Sequence, residues 1–238
     1  QSIEDLARVL AIRATTGTFV ERGQAARELD MMVRQATGVS KAKAVAKFVR
    51  LMVEAGEPVL LVGWHRAVYD IWLEELADLR PAMYTGSETA AQKNKEKDRF
   101  LSGDTDVMIM SLRSGAGIDD LQFRSSVVVF GELDWSPGIH QQIVWRLDRE
   151  GQQDPVTAFF LVSEEGSDPP IMDVLGIKAS EAHQIVDPHL GVQKVDDDTS
   201  NLGRLVERYL QKVSKASKKP VPSPVAMQLE LATTGSLF

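Results

Sequence analysis

Gln142, Arg146 and Arg149 stand four and then three residues apart. In a helix that spacing puts all three on one face. A guanidinium group is planar, permanently charged and carries paired N–H donors, so two of them on one face make a fork for a phosphate or a carboxylate. Taken alone, the pattern equally describes a surface helix with salt-bridged arginines. The surroundings narrow it. The apolar run Ser126–Phe130 ends just upstream, and Trp135 and Pro137 sit in the short turn between run and helix. In open α/β sheets, ligand sites collect at the carboxyl ends of the strands.

Other chemistries lack their residues. The chain of 238 residues has no cysteine, which rules out disulfides, thiolate metal sites and a cysteine nucleophile together. His65, His140, His183 and His189 are scattered, with no pair at a helical metal-ligand spacing, so no metal site is expected. The sequence has no Gly-x-x-x-x-Gly-Lys-Ser/Thr loop to cradle a triphosphate, and no acidic pair after a strand to hold magnesium. It also lacks a Gly-x-Ser-x-Gly nucleophile elbow. A net charge of −7 argues against a protein coated by nucleic acid, though a local basic strip on an acidic body is compatible with it. No apolar run approaches the roughly 18 residues of a membrane span, and no signal peptide is evident, so a cytoplasmic setting is expected (nucleoid-associated in a prokaryote).

The elements that must position the arginines follow from periodicity. Residues 3–14 place Ile3, Leu6, Val9, Leu10 and Arg13 on one stripe, and Gly17 breaks the pattern. A second helix is predicted over about Gln24–Gln35, stopped by Gly38, and a third from a Ser40 cap to Gly56. The period then changes. Pro58–Val62, Val107–Met110, Ser126–Phe130 and Val156–Val162 are short apolar runs suited to strands buried on both faces, with weaker strands at Ala82–Tyr84 and Gln184–Val186. Helices are predicted between them over about Arg66–Asp78, Thr89–Leu101 and Ile139–Asp148, and beyond them over Asp168–Lys178 and Leu202–Val213. Strand and helix alternating at this spacing predict an open, mainly parallel α/β sheet flanked by helices, with an N-terminal helical extension. The expected division is residues 1–39 for that extension, 40–190 for the α/β lobe, 191–213 for a C-terminal helix, and 214–238 for a Lys-, Ser- and Pro-rich linker and tail.

From Trp135 to Gln152 the chain resembles, without a gap, motif VI of SNF2-family ATPases, roughly W-N-P-x-x-D-x-Q-A-x-x-R-x-H-R-I-G-Q. Trp135, Pro137, Gln142, Arg146, Arg149, Gly151 and Gln152 fall on matching positions. Neighbouring segments agree in order. Met110–Leu121 is similar to motif V in a rearranged form, with Gly115 and Gly117 where backbone must approach phosphate. Val59–Trp64 resembles motif IV. Tyr84-Thr-Gly-Ser87, with Lys93 and then Arg99-Phe100, resembles the segment that tracks one DNA strand. The wording around Val128–Gly138 is closest to the annealing-helicase branch. The resemblance covers about residues 40–165. Three departures stand out: Asp148 and Glu150 in place of the usual His and Ile, and His140 where the family often has Asp.

The resemblance implies a RecA-like helicase C-terminal lobe of a superfamily 2, SNF2-type DNA translocase or helicase. ATP with Mg2+ would be bound mainly by an N-terminal RecA-like lobe of the same protein, and this chain alone would be inactive. Arg146 and Arg149 would be the catalytic arginine fingers. Gln142, Gly115, Gly117 and Asp119 would lie against the nucleotide. Thr85, Gly86, Ser87, Lys93, Ser111, Arg113, Ser114 and Trp135 would meet the backbone of double-stranded or branched DNA. Asp148 or Glu150 would hold an arginine in a self-paired resting state. The rival expectation is a non-catalytic interaction module that keeps the lobe fold.

Overall fold

The computed structural model describes residues 3–16, 18–114 and 118–175. The expected strand at Gln184–Val186, the helix at Leu202–Val213, the tail, Gly17, Gly115 and Gly117 lie outside the described residues. The strands are β1 (Val59–Gly63), β2 (Ala82–Tyr84), β3 (Val107–Ser111), β4 (Val127–Phe130) and β5 (Thr157–Phe160). They form one sheet in the order β2-β3-β1-β4-β5, and every neighbouring pair is parallel. The α/β expectation holds.

The two-residue period of each strand builds two separate cores. Leu60, Val62, Met108, Met110, Val128 and Phe130 face one layer, while Val59, Leu61, Val107, Ile109, Val127 and Val129 face the other. All but one of these twelve are fully buried, and Val127 is 5% exposed. The first layer is closed by helices α4 (Ala90–Leu101), α5 (Pro137–Leu147) and α6 (Asp168–Leu175), through Phe100, Ile143, Val144, Leu147 and Ile171. The second layer is closed by helices α2 (Phe19–Glu54) and α3 (Arg66–Glu75), through Val45, Val49, Val68 and Trp72.

Ahead of the sheet the helices differ from the sequence expectation. Helix α1 (Ile3–Thr16) is followed, after a Thr18–Glu21 capping box, by α2, which runs unbroken for 36 residues. Gly38 lies within α2 and does not stop it. A Cβ there would come within 2.5 Å of Glu132 Oε1 and 2.8 Å of Val68 Cγ2, so glycine serves close packing of α2 on the sheet end. Ser40 does not cap a new helix; its hydroxyl donates back to the Thr37 carbonyl at 2.8 Å. Residues 39 and 40, the expected division between extension and lobe, fall inside this helix. α1 packs on α2 through Leu10, Ala11, Ala25 and Leu29. Among the described residues, no helix is long and apolar enough to cross a membrane.

Candidate functional site

Helix α5 leaves the carboxyl end of β4 through the bend Leu133–Ser136, with Pro137 as its first residue. Proline suits that position because its N–H would be unpaired there in any case. Arg146 projects from the last turn of α5 toward the loop that leaves the carboxyl end of β3, whereas Arg149 stands beyond the helix end at Leu147, so the single helical face expected of Gln142, Arg146 and Arg149 does not extend to Arg149. Both reach the same atom, Asp119 Oδ1, from Arg146 Nη1 at 3.3 Å and from Arg149 Nη1 at 2.5 Å. Arg146 also donates to the Ile118 carbonyl at 3.3 Å, and Arg149 Nε donates to the Trp145 carbonyl at 3.2 Å.

The fork is open to solvent: the side chains of Arg149 and Asp119 are 37% and 62% exposed, and that of Arg146 is 20%. The hydrogen bond from Arg149, reinforced by the charges of Arg149, Arg146 and Lys97, holds the Asp119 carboxyl below its ordinary range. Asp120 takes a left-handed backbone (φ 74°) and pairs with Lys97 at 3.2 Å, which fixes the turn that aims Asp119. The carboxylate shared by the two arginines is thus Asp119, where the sequence alone points to Asp148 or Glu150.

The rest of the Trp135–Gln152 segment divides by role. Gly151 has φ 96°, a left-handed backbone that favours glycine, and it lies against the exposed ring of Phe123. Gln152 donates to the carbonyls of Ser125 (2.9 Å) and Leu147 (3.2 Å) and closes the end of α5. Trp135 is only 7% exposed, and its indole N–H donates to Asp30 Oδ1 at 2.8 Å. Its ring is committed to packing between α2 and the bend, and it is unavailable to stack on nucleic acid. Gln142 is exposed one turn before Arg146. Between them stands Trp145, 48% exposed, a bulky apolar group on the same helix that belongs to no motif position.

His140, in place of the usual Asp, is a packing residue. Its Nδ1–H donates to the Ser136 carbonyl (3.1 Å), its Nε2 accepts from the Asp134 N–H (3.2 Å), and its ring lies 4.9 Å from that of Phe130. Protonation of Nε2 would set one N–H against another, and burial pushes the pKa down to about 4, against the partial opposition of Asp134. The folded value lies below the ordinary 6.5, so the stabilisation is complete above that pH and is lost as pH falls toward 4. This one group should remove roughly 3 kcal/mol over that range. Thermal melts between pH 7 and 4.5 check it: His140→Gln should show a flatter pH dependence than the parent. Parallel curves would count against it.

Apart from Trp135, which follows β4, the predicted DNA-facing residues lie at the carboxyl ends of the neighbouring strands β2 and β3, with Lys93 in the first turn of α4. Thr85 is 3% exposed, and its backbone N–H and hydroxyl both donate to Glu88 (2.6 and 2.9 Å), so it shapes the loop from inside. Gly86 and Ser87 are exposed, and Ser87 accepts from Arg66 at 2.8 Å. Lys93 sits over the Tyr84 ring at 5.1 Å. Ser111, 7% exposed, ends β3; its hydroxyl and carbonyl accept from the N–H groups of Arg113 (3.4 Å) and Ser114 (3.0 Å). Arg113 lies over the Trp64 ring at 4.8 Å, with its side chain 61% exposed. Arg66, which no motif singles out, joins this basic edge; its one signal in the sequence is its place at the start of the helix after β1.

A second polar centre is equally silent in the sequence. Glu132, 4% exposed at the end of β4, accepts from the N–H groups of Trp64 (2.7 Å) and His65 (2.9 Å) and pairs with His65 Nδ1 (2.6 Å). It laces the carboxyl ends of β1 and β4 together. Among the described residues, no group of three or more His, Asp or Glu side chains is arranged to hold a metal ion.

The chain is similar to a SWI/SNF-related matrix-associated actin-dependent regulator of chromatin subfamily A-like protein 1 of Drosophila melanogaster, with 25% identity over 158 residues, 65% of this chain and 21% of that protein. It is likewise similar to a DNA repair and recombination protein RAD54-like of Drosophila virilis, with 27% identity over 166 residues, 67% of this chain and 21% of that protein. The chain therefore spans about a fifth of the length of these curated relatives. No protein-family model matches it. Among solved structures, the C-terminal part of the Fun30 ATPase domain superposes with a TM-score of 0.56 at 19% identity, covering 72% of this chain and 53% of the other. That likeness shows the fold: a RecA-like lobe with a helical segment before it.

Proposed function

From its resemblance to the C-terminal lobe of SNF2-family ATPases, we propose that this chain is the second motor lobe of an ATP-dependent DNA translocase. In this reading its arginines act on ATP held chiefly by an N-terminal lobe. The observation that carries it is the convergence of Arg146 and Arg149 on one exposed carboxylate oxygen at the carboxyl edge of the sheet. A pair of guanidinium donors that satisfies a carboxylate satisfies a phosphate oxygen in the same way. The site offers cations and N–H donors, which fit a triphosphate; the magnesium would be held by the other lobe.

Phosphoryl transfer spreads negative charge over the equatorial oxygens, and preorganised cations there lower the barrier. Arg146 and Arg149 supply that charge. A terminal phosphate entering the fork takes over the acceptor role of Asp119. Gln142, one turn before Arg146 on α5, orients it. Meanwhile Gly86, Ser87, Lys93, Ser114 and Arg113, joined by Arg66, hold phosphates of one DNA strand without reading bases.

Two outcomes follow. The purified chain should hydrolyse no ATP with or without DNA, and should do so once joined to an ATP-binding lobe. Hydrolysis by the chain alone would refute the division of labour, and failure of the joined protein would favour an interaction module. DNA binding should weaken steeply with salt, and Arg66→Ala or Arg113→Ala should each lower the slope of log K against log salt by about one. An unchanged slope would remove that residue from the DNA face.

A further inference from the structure

Between α2 and the arginine helix lies a continuous set of buried polar contacts. Arg34 on α2 donates to the Leu133 carbonyl at 2.9 Å and to Asp134 Oδ2 at 3.2 Å. Asp30, one turn earlier, accepts the indole N–H of Trp135 at 2.8 Å and lies 3.8 Å from Arg34. The side chains of Arg34 and Asp30 are each 10% exposed, and that of Asp134 is 5%. On its other side Asp134 Oδ1 accepts the N–H of Ser136, the residue that launches α5. Asp134 Oδ2 also lies 3.9 Å from Arg113, on the basic edge. Three consecutive residues of the bend, Leu133 to Trp135, are thus held by two side chains of a helix that begins far earlier in the chain.

We infer that Asp30 and Arg34 are positioning residues for the arginine pair: through Leu133, Asp134 and Trp135 they set the angle at which α5 presents Arg146 and Arg149. The chemistry of the contacts supports this. A buried arginine bound to a carbonyl and a carboxylate of adjacent residues fixes the bend in two directions at once, and Asp30 fixes the ring of Trp135. Arg34 reaches the bend at Leu133 and Asp134, and Asp30 reaches it at Trp135, and the bend joins both to α5. The bend lies at the base of α5, Arg146 lies in its last turn, and Arg149 follows just beyond its end at Leu147. A small rotation at the base therefore moves the guanidinium groups by a larger distance. Misplacement by about 1 Å of a group aimed at a reacting centre can cost about a hundredfold in rate. Asp134 adds a link to the DNA face, because the same carboxylate faces Arg34 and Arg113.

This inference rests on the motor reading, and the test separates the two. In the protein carrying both lobes, Arg34→Met should lower kcat for DNA-stimulated ATP hydrolysis by roughly 10- to 100-fold while KM for ATP stays unchanged. Asp30→Leu should do the same. Asp30→Asn, which keeps an oxygen to accept the indole N–H, should restore most of the rate. In the 238-residue chain, amide hydrogen exchange should quicken at residues 134–147 in Arg34→Met while the strands keep their protection, which distinguishes a loosened bend from an unfolded lobe. If Arg149→Ala abolishes hydrolysis and Arg34→Met does not change kcat, the positioning role is overturned and the motor reading stands. If Arg149→Ala is as active as the parent, the motor reading itself falls. Equal loss in Asp30→Leu and Asp30→Asn would also overturn the role of the indole contact.

Discussion

Replacing Arg149 by alanine should lower DNA-stimulated ATP hydrolysis, in a protein that carries this chain together with an ATP-binding lobe, by about 10³-fold or more. Nucleotide binding should be nearly unchanged. The expectation comes from where Arg149 ends: its Nη1 lies 2.5 Å from an acceptor that is itself 62% exposed, so the donor is already aimed outward. A group serving the ground state and the transition state alike would change KM, whereas one that meets charge developing on the transferred phosphoryl group changes kcat. Arg146→Ala should follow with a smaller loss, because its side chain is less exposed (20% against 37%) and lies farther from the shared oxygen (3.3 Å against 2.5 Å). Steady-state kinetics paired with equilibrium nucleotide binding decide the matter. A loss of binding that accounts for the whole rate effect would make Arg149 a structural residue.

Glu132→Leu should cost roughly 3–5 kcal/mol of stability, because three donors lose their acceptor at about 1–3 kcal/mol for each buried group left unsatisfied. For a domain of this size the melting temperature would fall by roughly 10 °C. The substitution leaves the Trp64 and His65 amides and His65 Nδ1 without their acceptor in a site that is almost completely closed. Glu132→Gln keeps an oxygen for the backbone donors and should lose much less. Equal melting temperatures for Glu132→Leu and the parent would show that the three donors find other partners.

The strands are legible in the sequence because their signal is local. Val59–Gly63, Val107–Ser111 and Val127–Phe130 are apolar at every position but their ends, and short runs of that kind have few other uses in a chain of this composition. The helix α5 is legible for the same reason, but it stops at Leu147, so the shared face implied by a spacing of four and three holds for Gln142 and Arg146 and not for Arg149. What stays hidden depends on distant partners. Gly38 reads as a helix stop until Glu132, far downstream, is seen to need the space. Trp135 reads as a candidate for nucleic acid until Asp30 is found beneath it. That both arginines share Asp119 depends on the turn whose left-handed residue is Asp120, which no spacing rule announces.

The strand order β2-β3-β1-β4-β5 has a kinetic corollary. The first strand made is the central one, and both of its neighbours come from later in the chain: Val59 pairs with Val107 on one side and with Val127 on the other. During synthesis, the Val-Leu-Leu-Val-Gly segment must leave the ribosome with two unpaired edges and wait for its neighbours. Pairings this long in sequence close slowly, because chain entropy must be given up before contacts form. The nascent chain therefore passes through an aggregation-prone interval that ends only when residue 130 has emerged.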